Sequence, residues 1–141
     1  MSYHKKNLKE KLVEVAWNIC VAESWEKVNM REVAKKARVS NTAFYRHLKN
    51  KNDLKAELMG KGFKILNEGM KNINNNFSSY GAHYIRFGLD YPHIYDLMFG
   101  NIDFDMSLYP DLETLSRASF SGVVEGVKSF MPDASDKDIM I

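Results

Sequence analysis

The 141-residue chain has a single cysteine, Cys20, so no disulfide can close within it. Cys20 falls on an apolar helical face with no basic partner at helical spacing. It reads as a buried thiol of a reducing cytoplasm rather than a redox sensor. No apolar run approaches the ~18 residues that a membrane-spanning helix needs. The opening MSYHKKNLKEK is charged and has no apolar stretch behind it, so no secretory signal is read. Signatures of catalysis are also missing. There is no glycine-rich phosphate loop and no nucleophile elbow. His83 and His93 are separated by a proline break, and neither has Cys, Asp or Glu at ligand spacing on the same helix face. Asp103-Phe104-Asp105 lacks the rest of a calcium loop. No catalytic residue, metal ligand set or cofactor is therefore expected, and an enzyme is not.

What is present is a core and a divided charge. An apolar fraction of 45% supports a folded chain. The net charge of +2 conceals a strong asymmetry. Residues 1–64 carry 15 Lys/Arg against 7 Asp/Glu, and residues 65–141 carry 5 against 11. A basic half joined to an acidic half points to a nucleic-acid-binding module linked to a partner module that avoids the polyanion.

Periodicity is helical throughout. Leu8, Leu12, Val15, Ala16, Ile19 and Cys20 form one stripe of a helix over about 6–23, with Lys5, Lys6, Lys9 and Lys11 crowding its start. Cations oppose the dipole there, so they suit a phosphate backbone or a solvated basic face. Asn29 caps a second helix, whose apolar face is Met30, Val33, Ala34 and Ala37. Arg38-Val39-Ser40 breaks it, and Ser40 caps a third helix running to about Leu48. In that helix Ala43, Phe44 and Leu48 face inward, leaving Asn41, Thr42, Tyr45, Arg46 and His47 outside. All five can donate a hydrogen bond and none is acidic, as a face that meets phosphates and base edges requires. Two packing helices with a polar exterior would share the pattern; a helix-turn-helix with its recognition helix in the major groove is the sharper reading.

Asn50, with Asp53 three residues on, opens a long helix from about Lys51 to Asn75, in which Gly60, Gly62 and Gly69 weaken the stiffness. Phe77, Tyr80, Tyr84, Phe87 and Leu89 continue at near-helical spacing until Asp90-Tyr91-Pro92 stops one helix and starts another, over His93 to Phe99. Gly100 to Leu108 reads as a loop. Pro110 opens a last helix with Leu112, Leu115, Val123, Val127 and Phe130 inward, closed at Met131-Pro132, and Ser135 starts a further one.

The stretch VNMREVAKKARVSNTAFYRHLKNKNDLKAEL resembles the DNA-binding domain of the tetracycline-repressor (TetR) family of bacterial transcriptional regulators. The matches are Arg31, Ala34, Val39-Ser40, and Phe44 through Lys51 with Leu54 beyond. The Tyr-x-His, Lys-x-Lys and Leu pattern is the most specific of them. Arg38 stands where the family usually has glycine, so a turn with positive φ is expected to be strained. YIRFGLDYPHIYDLMFG resembles the opening of the effector domain in a subgroup of the family.

The resemblance implies an all-α chain. A three-helix DNA-binding domain (residues 1–50) would be joined by the long helix to an effector and dimerisation domain (51–141), shortened at its C-terminus. It also implies a cytoplasmic regulator of palindromic double-stranded DNA, a homodimer if the C-terminal helices are supplied or replaced, acting as a repressor released by a small hydrophobic or amphipathic effector. By position in the motif, Tyr45, His47 and Lys51 would contact phosphates, and Arg31, Asn41, Thr42 and Arg46 would reach base edges. Tyr80, Tyr84, Phe87, Tyr95, Met98 and Phe99, joined by His83, Met106 and Tyr109, serve either as effector-pocket lining or as core. The alternative is a shortened, non-enzymatic interaction protein unable to form the usual DNA-binding dimer.

Overall fold

A computed structural model describes residues 5–71, 77–100 and 103–130. Among these are seven α-helices and no strand: α1 (Lys5–Ala22), α2 (Met30–Ala37), α3 (Asn41–His47), α4 (Lys51–Met70), α5 (Phe77–Asp90), α6 (Pro92–Phe99) and α7 (Pro110–Phe130). Short 3-10 turns lie at Trp25–Lys27 and Met106–Leu108, the second inside the stretch read as a plain loop. The all-α expectation holds. The expected ends at Asn72–Asn76, Met131-Pro132 and Ser135 lie outside the described residues, as do the side chains of Val123, Val127 and Phe130.

Local chemistry places most boundaries. Asn29 accepts the Glu32 amide through Oδ1 at 3.1 Å, and Ser40 Oγ accepts the Ala43 amide at 3.1 Å. Each satisfies an amide that the first helical turn leaves unpaired. At α4 the Asp53 amide donates to Asn50 Oδ1 (2.9 Å) while Asp53 Oδ2 accepts the Lys49 amide (3.0 Å). That reciprocal pair is a capping box displaced by one residue. Pro92 and Pro110 begin α6 and α7, where a missing N–H costs nothing.

The described residues form two compact units. One comprises the chain up to Met59 together with the segment from His93 to Gly100. Here α1 packs against α2, α3 and the Trp25–Lys27 turn. Leu12, Ala16 and Cys20 of α1 are buried, as are Val28, Val33, Ala34, Ala37, Phe44, Leu48, Leu54 and Leu58. Ile94, Leu97 and Met98 of α6 are buried as well. Trp17 is core too, at 7% exposure. Burial, together with the negative charges of Glu26 and Asp96, pushes the Cys20 thiol up to about 11. It is thus an inert apolar filler at neutral pH. Lys9 pairs with Glu57 across α1 and α4 at 2.6 Å, which occupies one of the cations at the start of α1.

The other unit comprises Gly60–Pro92 and the described residues from Asp103 onward. In it α5 packs along α7, with Phe63, Leu66, Met70, Tyr80, Phe87 and Leu112 buried. Two polar ties fix the register. Tyr84 Oη lies 2.9 Å from the Ser119 carbonyl oxygen and 2.7 Å from its Oγ, and Asn67 Nδ2 donates to the Leu115 carbonyl at 3.0 Å. His83 Nε2 sits 2.9 Å from the Leu66 carbonyl oxygen, its ring resting against Gly69 of α4. A Cβ at position 69 would collide with that ring. Gly69 is therefore a packing device, not only a soft point of the helix.

Candidate nucleic-acid interface

The turn between α2 and α3 is held by backbone alone. The Arg38 amide donates to the Lys35 carbonyl at 3.1 Å, and the Val39 amide to the Ala34 carbonyl at 2.9 Å. These two bonds make a Schellman closure, which requires a left-handed residue at Arg38. Arg38 adopts it, with φ 59° and ψ 43°, and is the one non-glycine residue with positive φ among those described. The expected strain at this position is present. The closure turns the chain sharply enough for Ser40 to cap α3 two residues later.

α3 is fixed from beneath by Phe44 and by Leu48 just past its end, each 1% exposed, while Ala43 is half-covered. Burying an aromatic of that size contributes about 2–3 kcal/mol, enough to seat a helix of two turns that has little stability of its own. The opposite face carries Asn41, Thr42, Tyr45 and Arg46, all exposed; Tyr45 is 49% exposed and packs its ring 5.4 Å from that of Phe44. His47 is half-buried instead of fully outward, because it lies at the edge of the buried strip beside Leu48.

Arg31 is exposed on α2, and Lys51 is exposed at the start of α4. The structure thus brings all seven sequence-predicted DNA contacts onto one helix-turn-helix and the first residue of the next helix. From Val33 to Asn52 no Asp or Glu occurs, while Lys35, Lys36, Arg38, Arg46, Lys49 and Lys51 do. Arg31, Arg46, Lys49 and Lys51 make no ion pair among the described residues.

A feature absent from the sequence reading lies beside this face. Lys51 Nζ stands 5.0 Å, and Lys55 Nζ 5.9 Å, from the centre of the half-buried Trp25 ring. Burial lowers the Lys55 pKa below its ordinary value; Glu26 opposes this and the charge of Lys51 adds to it. The i,i+4 spacing of the two lysines was the signal available in the sequence.

This domain has known counterparts. Residues 12–58 match the model of bacterial regulatory proteins of the tetR family. Residues 12–58 belong to that family. An uncharacterized HTH-type transcriptional regulator of Haemophilus influenzae is 29% identical over 79 residues, which cover 55% of this chain. The matched stretch spans 38% of that relative's length. The tetR-family segment runs from the middle of α1 through the α2–α3 turn to the first two turns of α4. It therefore contains Trp25 and all seven residues of the predicted DNA-contact set, but not Lys5, Lys6, Lys9 and Lys11.

The candidate effector residues are more scattered. Tyr80 and Phe87 are buried and Tyr84 is tied to Ser119, all in the unit built on α5 and α7. Met98 is core of the unit that contains the tetR-family segment. Tyr95 and Phe99 belong to that unit too, 40% and 45% exposed, with ring centres 4.7 Å apart. Of the six, Tyr80 lines an open cavity of about 240 Å³ together with Asn67, Met70, Lys71 and Ala118. Asn67 Oδ1 is buried and has no hydrogen-bond partner among the described residues. Met106 begins the second 3-10 turn and Tyr109 follows it, and Asp105 just before it accepts bonds from the amide and hydroxyl of Ser107. No helix of the described residues is long and apolar enough to cross a membrane.

Proposed function

We propose that the protein is a sequence-specific DNA-binding transcriptional regulator, reading duplex DNA through α3. The observation that carries this reading is the outer face of α3 and its surroundings. Every exposed residue of that face can donate a hydrogen bond, and Arg31, Arg46, Lys49 and Lys51 around it make no ion pair among the described residues, on a domain of the tetR family. In this reading Tyr45, His47 and Lys51 grip phosphates, which fixes register and orientation. Arg31 and Arg46 are suited to guanine, Asn41 to adenine, and Thr42 to an adjacent base edge or thymine methyl. The protein works as a homodimer on a palindromic operator, and so doubles the contacts that one short helix can make.

The proposed regulation is repression, relieved when a small amphipathic molecule enters the unit formed by α5 and α7. The cavity beside Tyr80 supports this part, being mostly apolar in its walls, with Asn67 and Lys71 as polar groups, and somewhat below the usual ~300 Å³ of a small-molecule site. Such a molecule shifts the equilibrium only as far as it binds the DNA-free form better than the DNA-bound one.

Selection of bound duplexes from a random pool by the purified protein is the test. A palindromic consensus is the expected result, and the distance between its halves gives the dimer geometry. A consensus of one half-site would keep α3 as the reader but remove the homodimer. No enrichment over the starting pool at low salt would refute DNA reading altogether.

A further inference from the structure

The Trp25–Lys27 turn packs on α1 and is tied down by the Val28 amide donating to the Trp25 carbonyl at 2.9 Å. Its indole is thus a fixed platform beside the first turn of α4. Two ammonium groups from successive turns of that helix come to it, at 5.0 and 5.9 Å from the ring centre. Lys51 makes no ion pair among the described residues, although Asp53 stands two residues on and is engaged in capping α4.

A carboxylate partner would hold such a lysine by consuming its charge and its donors. An aromatic face attracts the ammonium through the ring quadrupole and leaves both the net charge and the N–H groups available. It also restricts two side chains that otherwise lose much rotamer freedom on binding. Burial is the main cause of the lowered Lys55 pKa; Glu26 opposes it and the like charge of Lys51 adds the smallest part, so the mutual repulsion of the two ammonium groups is a small cost in the unbound protein. A phosphate would relieve that cost.

We propose that Trp25, Lys51 and Lys55 form one site for the sugar–phosphate backbone of the duplex, in which Trp25 positions the two lysines. The proposal rests on the DNA-binding reading and adds to it two residues, Trp25 and Lys55, that the motif does not supply. Lys55 is a direct phosphate contact; Trp25 acts through the lysines and need not touch DNA.

The experiment measures duplex affinity as a function of salt for the wild type, Trp25→Leu, Trp25→Phe, Lys55→Gln, the double variant Lys51→Gln/Lys55→Gln, and that double variant with Trp25→Leu. Each protein is first checked by circular dichroism for native helicity. Lys55→Gln flattens the log-affinity against log-salt slope by about one, the loss of one phosphate contact. Trp25→Leu weakens binding by about two- to fivefold, the scale of an exposed cation–π contact, and flattens the slope in the same direction. Trp25→Phe, which keeps an aromatic face, falls between Trp25→Leu and the wild type. In the double-lysine background Trp25→Leu has no further effect. A folded Trp25→Leu protein with the wild-type slope overturns the proposal. So does a Trp25→Leu loss of equal size with and without the lysines, which marks a purely structural tryptophan. If Leu disrupts folding, the Phe variant and Lys55→Gln still decide: wild-type slopes for both overturn the site. A wild type that binds no duplex at all removes the underlying reading, and its own isotherm tells that failure apart from the others.

Discussion

At the scale of single residues, the turn that delivers α3 is closed by an arginine where the backbone favours glycine. Arg38 sits at φ 59° to complete the Schellman closure, and a Cβ there crowds the following carbonyl. Arg38→Gly is expected to raise stability by about 0.5–1 kcal/mol, the relief of strain being partly offset by the greater freedom of glycine in the unfolded chain. Urea unfolding of both proteins checks this, and an unchanged or lower midpoint would count against strain at the turn. On the face of α3, Tyr45 and Asn41 are both exposed but suit different partners. Tyr45→Ala is expected to weaken specific and random duplex alike, by about 1.5–3 kcal/mol for a lost hydrogen bond to a charged phosphate. Asn41→Ala should instead relax preference at a single base pair, by about 1–3 kcal/mol. Competition isotherms on the selected and scrambled sites separate the two. Equal losses on both duplexes for both variants would dismiss these roles.

Among the elements, what was legible in the sequence is what short-range chemistry decides. Asn29, Ser40, Asn50, Pro92 and Pro110 start helices through their own side chains or rings, so five of the boundaries follow from residues within four positions. The outward face of α3 was legible for the same reason, since Phe44 and Leu48 fix which side is buried. Contacts between distant elements were not. Nothing local announces that α6 shares a compact unit with α1–α3, that Trp25 meets two lysines of α4, or that Tyr84 ties α5 to α7. Gly69 shows how a local reading misleads. Propensity alone makes Gly69→Ala stabilising by about 1 kcal/mol in a helix interior. The new Cβ would instead displace the His83 ring and its contact with the Leu66 carbonyl, so a net loss of about 1 kcal/mol is expected. His83→Ala should restore the ordinary gain at position 69. Thermal melts of the two single variants and the double variant test this, and a rise in Tm for Gly69→Ala alone would contradict it.

For the whole molecule, the decisive quantity is where the charge lies, not how much there is. The basic residues of positions 1–64 carry the proposed DNA contacts, while residues 65–141 are acidic on balance and include exposed Asp103 and Asp111. A polyanion attracts the first part and repels the second, so the acidic part penalises bound orientations that α3 does not direct. Specific binding, fixed by base contacts, feels this only weakly. Non-specific binding, which is almost wholly electrostatic, feels it most. Replacing Asp103 and Asp111 together by Asn is therefore expected to tighten binding to random duplex by about two- to threefold at ~0.01 M salt, where charges act over ~30 Å. Affinity for the selected site should change less, so discrimination falls. At ~0.15 M salt the difference should vanish, because the screening length shrinks to ~8 Å. Anisotropy titrations of the double variant on both duplexes at the two salt concentrations measure it. An equal gain on both duplexes would mean that the acidic residues lower affinity without aiding discrimination. A gain that survives at the higher salt would mean that they act through a local contact, not through the field of the molecule.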